Sequence, residues 1–303
     1  MDDRLMSVYG PMLDALRGVR WPARRAVGAA PAGTHRSAQK GTAGEFTEYR
    51  LYRQGDDPRA LDWKLLARSD RAFVRLSDDR ALLSTWIVVD ASASMAFPAE
   101  SRNGTRSKFG QAKAVAVGLA AVAHASADPV GVLIVHGSGM TRVPPRTRRG
   151  TVQALARVLD GVVCGGEAPL APPLASLPTN ARLVVITDCL GDADACVKVA
   201  AAHGVAGALI ECVHIVADDE LSPPAGTHLM RDPEQHGVEH VLAGGGRDAY
   251  ISAFAAFRLE MSQRWRSAGA GYTQVTTSVE PSRAVRAVVM GLAAPAPSLS
   301  PGR

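Results

Sequence analysis

Four short aliphatic runs constrain this chain more than any other feature. Residues 86–90 read WIVVD, 130–135 VGVLIV, 183–188 LVVITD and 208–216 ALIECVHIV. Each is a continuous or nearly continuous apolar run, and segments with helical spacing (109–127, 152–159 and 192–203) lie between them. A strand that is apolar on both faces must be covered on both, and the chain returns to a parallel neighbour through a helix. The pattern therefore predicts an α/β fold, an open sheet with helices on both faces. Further on, 248–267 predicts a helix, 271–276 a strand and 281–292 a last helix opened by Pro281, where the missing N–H costs nothing.

Composition fits that reading. Apolar residues make up 47% of the 303, but aromatics only 5%, so Val, Leu, Ile and Ala must fill the core. Wholesale disorder and collagen-like architectures are excluded. The four cysteines (164, 189, 196, 212) lack C-x-x-C spacing and read as reduced, mostly buried thiols. Residues 112–136 are interrupted by His124, Asp128 and Pro129 and predict helix, turn and strand, with no transmembrane segment. With no secretory leader at the N-terminus, the expectation is a soluble, cytoplasmic protein. Only five of the 34 basic residues are lysines (40, 64, 108, 113, 198).

The net charge of +5 is local, with 15 basic against 11 acidic residues in the first 80 and near balance afterwards. Before residue 82 the chain offers a helix over 5–16, a Gly/Ala/Pro/Ser-rich stretch over 27–44 and an Arg-rich segment. Three parts are expected. Residues 1–81 form an N-terminal helix plus a basic extension, 82–293 the α/β domain, and 294–303 a disordered Pro/Ser tail.

In open α/β sheets, ligands bind beyond the carboxyl ends of the strands. Two strands here end in acids, Asp90 and Asp188, and the first continues as Asp90-Ala91-Ser92-Ala93-Ser94. One carboxylate and two hydroxyls on alternate residues are hard oxygen donors suited to Mg²⁺, with Asp188 adding a second carboxylate. The competing reading is that these residues only cap the following turn.

The string GEFTEYRLYRQGDDPRALDWKLLAR, leading into VVDASASM, resembles the DUF58 family of bacterial proteins, and DASAS resembles the metal-ion-dependent adhesion site (MIDAS) of von Willebrand factor A domains. The resemblance covers nearly the whole chain. It implies a von Willebrand A-like (Rossmann-like) domain preceded by a smaller β-rich extension, no established catalysis, and association with a MoxR-type AAA+ ATPase or its client. Carried over by position, Asp90, Ser92, Ser94 and Asp188 are the metal residues, for Mg²⁺ or alternatively Mn²⁺ or Ca²⁺. The loop expected to add a threonine reads Gly165-Gly166-Glu167-Ala168, with Ala168 at that position. Either Glu167 or a water substitutes there, or metal binding is lost while the scaffold remains.

The GDDPR turn at 55–59 has its own reading. Arg50, Arg53, Arg59 and Arg68 are set to pair with Asp56, Asp57 and Asp62 in a polar network, with Tyr52 and Trp63 alongside. That network locks the extension or, alternatively, presents a docking face.

Other signals carry less. His236-Gly237-Val238-Glu239-His240 matches an inverted zinc-protease motif, but flanking Pro and Gly favour strand or loop over the helix that chemistry needs. The basic patch from Arg142 to Arg149 reads as a solvated loop, without aromatics for base stacking. P-loop, dinucleotide-binding and nucleophile-elbow motifs are missing, so no nucleotide or organic cofactor is expected. The expected function is a non-enzymatic protein-interaction module. The alternatives are a metal-dependent phosphohydrolase using Asp90 and Asp188, or nucleic-acid binding by the basic N-terminal part.

Overall fold

The computed structural model describes residues 2–21, 46–52, 61–69, 71–77, 83–98, 106–224, 229–231, 239–241 and 246–291. The chain divides into two compact units, Met1–Gly28 with Leu83–Arg303, and Ala29–Leu82.

In the smaller unit, strands β1 (Phe46–Leu51) and β2 (Phe73–Ser77) pair antiparallel, and helix α2 (Trp63–Ser69) lies between them in sequence. Asp62 starts that helix, its Oδ1 accepting the N–H groups of Lys64 and Leu65 at 3.0 Å each. It is therefore a helix cap as well as a candidate for the polar network. Trp63 and Arg68 lie exposed on α2, and Tyr52 donates its backbone N–H to the Ala72 carbonyl. Arg50 sits in β1, while Asp56, Asp57 and Arg59 lie outside the described residues. So does the 294–303 tail.

In the larger unit, a six-stranded sheet runs in the order β10-β7-β6-β3-β4-β5. Its members are β3 (Thr85–Ala91), β4 (Val130–His136), β5 (Gly139–Arg146), β6 (Arg182–Thr187), β7 (Leu209–Val216) and β10 (Gly271–Thr276). All neighbours are parallel except β4 and β5. Around them lie α1 (Asp2–Ala15), α3 (Lys108–Ala125), α4 (Thr151–Asp160), α5 (Ala171–Ala175), α6 (Ala193–Val205), α7 (Asp218–Leu221), α8 (Gly246–Ser267) and α9 (Pro281–Met290).

Side chains of the central strands alternate between two apolar layers, as the period of two requires. Ile87, Val89, Val132, Ile134, Val184 and Ile186 face α1, α3, α4 and α9. Trp86, Val88, Leu133, Leu183 and Val185 face α5, α6 and α8. With each such side chain worth about 1.5–3 kcal/mol on burial, these layers dominate the unit's stability.

Two expectations change here. The first helix belongs with the large unit and not with the basic extension. Its Tyr9, Met12 and Leu16 are buried among α3 and α9 residues, and Tyr9 donates its hydroxyl to Asp160 Oδ1 at 2.8 Å. Long-range packing decided this, and position in the chain hid it. The patch read as a solvated loop is the edge strand β5 up to Arg146. Pro144 and Pro145 are tolerated there because an edge strand leaves half its N–H groups unused. Arg142 lies over the Trp86 ring, 4.8 Å from its centre. The described part of the protease-like motif, Glu239 and His240, lies in strand β9 (Glu239–Val241), antiparallel to β8 (Leu229–Arg231). That is the reading that disfavoured a helical zinc site. Among the described residues, no helix is long and apolar enough to cross a membrane.

Candidate functional site

From β3 the chain moves outward on one side to β4 and β5, then returns to place β6 on the other. Between β3 and β6 the order reverses, and crossovers leave in opposite directions. A cleft opens at the carboxyl ends of such a pair. Here it measures about 290 Å³, lined among others by Asp90, Ser92, Glu167, Ala168, Asp192 and Trp265.

Asp90 is the penultimate residue of β3 and turns the chain. Its Oδ1 accepts the Ser92 N–H at 2.9 Å, and its Oδ2 accepts the Thr187 hydroxyl from the end of β6 at 2.7 Å. Ser92 and Ser94 bring their hydroxyls 3.0 Å apart on the tight turn Ala93–Ala96. Burial, reinforced by the charge of Asp188, pushes the Asp90 carboxyl up to about 7 against the bonds from Ser92 and Thr187.

The glycine loop arrives by backbone pairing. Gly165 N–H donates to the Ala91 carbonyl, Ala93 N–H to the Gly166 carbonyl and Gly137 N–H to the Gly165 carbonyl. A Cβ at Gly137 would stand 2.3 Å from that Gly165 oxygen, and Gly166 adopts φ +63°. Only glycines permit this approach. The loop sets Glu167, exposed, and Ala168, packed against the apolar layer, on the cleft wall. Asp192 closes the wall, its two oxygens accepting the N–H groups of Leu170 and Ala171 at the start of α5.

Asp188 is buried and does not line the cleft. Its Oδ2 accepts from the Lys108 ammonium at 2.7 Å, and its Oδ1 accepts the Leu190 N–H at 3.1 Å. Lys108 also donates to Glu220 Oε1 at 2.7 Å, while the other Glu220 oxygen accepts the Ala217 N–H. The Lys108 and Asp188 side chains are each 1% exposed. Burial opposes both charges, yet each partner outweighs it. Asp188 and Glu220 hold the ammonium above its ordinary value, and Lys108 holds the Asp188 carboxyl below its own.

The structure gathers Asp90, Ser92, Ser94, Asp188, Glu167 and Ala168 near the ends of β3 and β6. A divalent cation shared by both aspartates, however, does not fit. Asp188 is already paired with the Lys108 ammonium, and only Asp90 and Ser92 of the four expected ligands line the cleft. The threonine position carries a methyl group.

Sequence reasoning missed Lys108, Thr187, Glu220, Asp192 and Trp265. A signal existed for the first. Lys108 is one of few lysines, stands on the first turn of α3 where the helix dipole repels a cation, and is followed by the buried Phe109, Gln111 and Ala112. The cysteine expectation was met among the described residues, since all four thiols are free and Cys189, Cys196 and Cys212 are buried.

Comparison with known proteins agrees with the chain's sequence pattern. The family described as "Protein of unknown function DUF58" matches residues 48–258. The uncharacterized proteins Rv1480 of Mycobacterium tuberculosis and Mb1516 of Mycobacterium bovis are each 32% identical over 258 residues, covering 81% of this chain and 78% of theirs. Similar solved structures include the conserved hypothetical protein BatB from Bacteroides thetaiotaomicron, at 17% identity and TM-score 0.43 over 69% of this chain and 97% of that one. Another is the SpRpn10 VWA domain, at 12% identity and TM-score 0.39 over 67% of this chain and 94% of that one. On the family match and the mycobacterial relatives together, the chain belongs to the DUF58 family.

Proposed function

We propose that the chain is a non-enzymatic protein-interaction module that engages its partner with the strand-end cleft between β3 and β6. The observation carrying this reading is the cleft itself. It lies at the topological switch point, with oxygen acceptors from Asp90, Ser92, Glu167 and Asp192 beside an apolar wall of Ala168, Pro169, Leu170 and Trp265.

Hydrolytic chemistry would need a nucleophile with a base in reach. Asp90 is occupied by Ser92 and Thr187, and burial first, then the Asp192 carboxylate, drives the Cys196 thiol well above its ordinary range. The residue two after Asp90 is Ser92, where an aspartyl-phosphate mechanism would use an acid. The family resemblance proposes a MoxR-type AAA+ ATPase, or the client of one, as partner.

The test is calorimetric titration of a purified MoxR-type ATPase from the same organism into the wild-type and Asp90→Ala chains, alongside a phosphatase assay. The expected result is binding that weakens on substitution, with no turnover by either chain. Steady phosphatase turnover by the wild type, abolished by Asp90→Ala, would sink the reading.

A further inference from the structure

Resting on the strand-end cleft as the docking site, we propose that Lys108 is that site's resident cation. Its tethered ammonium supplies at Asp188 the positive charge that a divalent ion would otherwise bring, and the face is built and used without metal. Two of the three ammonium N–H groups are committed, to Asp188 Oδ2 and Glu220 Oε1, both at 2.7 Å. The bonds are charge-assisted, and two of the three side chains are 1% exposed.

Three separate elements meet at this ammonium: the first residue of α3, the residue after β6, and α7. A lysine on the first turn of a helix works against the dipole, so its placement is favourable only if its charge is needed there. A divalent ion approaching Asp188 would meet that ammonium as a like charge, with no oxygen at position 168 to repay the encounter. A tethered charge also differs from a bound ion in kind. Its contribution does not vary with ion concentration, whereas a bound metal stabilises the fold in proportion to the logarithm of its own.

The experiment titrates Mn²⁺ into the full chain and follows the electron paramagnetic resonance of the free ion, with thermal melts in EDTA and in Mg²⁺ alongside. Wild type should leave Mn²⁺ free into the millimolar range, and its Tm should agree in the two buffers to about 1 °C. Lys108→Ala leaves Asp188 and Glu220 without their cation and should take up Mn²⁺ at least about tenfold more tightly than wild type. The double variant Lys108→Ala/Asp188→Asn should lose that gain. Should the alanine variant not fold, Lys108→Gln, which keeps much of the volume, carries the same expectation.

Micromolar Mn²⁺ binding by wild type, or equal affinities for wild type and the Lys108 variant, would overturn the proposal. No partner is present in this experiment. Its failure therefore leaves the interaction reading standing, and failure of partner binding leaves the Mn²⁺ comparison intact.

Discussion

Two buried ion clusters stand at opposite ends of the same sheet strands, and they differ in what lies beside them. At the amino ends, Arg182 opens β6 and donates to Asp128 and to the Thr85 hydroxyl, each at 3.2 Å. The Trp21 ring covers it, 4.3 Å from the guanidinium carbon. Among the described residues this base meets Asp128, beneath an aromatic lid. At the carboxyl ends, Lys108 meets both Asp188 and Glu220, with Asp90 nearby, and a cleft opens alongside. Burial of charge alone does not distinguish the two. The distinction is the space beside the carboxyl-end cluster that a partner can enter.

Breaking each cluster should separate them. Lys108→Met strands two carboxylates, one of them completely buried, and should cost about 3–5 kcal/mol in urea unfolding. A loss below about 1 kcal/mol would mean that Asp188 is solvated or protonated in the folded state. Arg182→Met should cost less, about 2–3 kcal/mol, because Asp128 keeps some access to water. It should also leave partner affinity unchanged, which the same titration checks.

A further acid, partly buried, sharpens the contrast. Glu211 on β7 accepts the Thr273 hydroxyl at 3.0 Å, and burial lifts its carboxyl to about 7 despite that bond and the charge of Arg266. The folded chain therefore holds a proton that the unfolded chain has released, and stability falls as pH rises from about 4.3 to 7 before levelling. Glu211→Gln keeps the acceptor for Thr273 and removes the charge. It should be about 1–3 kcal/mol more stable than wild type at pH 8 and equal to it at pH 4. Equal stabilities at pH 8 would show that Arg266 compensates this carboxylate as Lys108 compensates Asp188.

Much of this arrangement was legible before any coordinates. The runs at 86–90, 130–135 and 183–188 fall in strands because residues buried on both faces leave a continuous apolar signature. Asp90, Ser92, Ser94 and the Gly165–Gly166 loop converge because strand ends and glycine turns are local features. The missed pieces are long-range. Tyr9 reaches Asp160 across 151 positions, and Lys108 reaches Glu220 across 112. Edge strand β5 was obscured by Pro144 and Pro145, which read as breakers although an edge tolerates them. No periodicity encodes such partnerships, and a lysine at the head of an apolar helix shows its role only once its acids are in place.

Filling the cleft tests the central claim most directly. Ala168→Arg sets a long side chain on the cleft wall. Val205→Arg is the control, at a position 93% exposed at the end of α6. Titrated with the MoxR-type ATPase, the first chain should bind at least about tenfold more weakly than wild type, and the control should match wild type, a difference of about 1.4 kcal/mol or more. Equal affinities for all three chains would place the interaction elsewhere on the molecule and contradict the account.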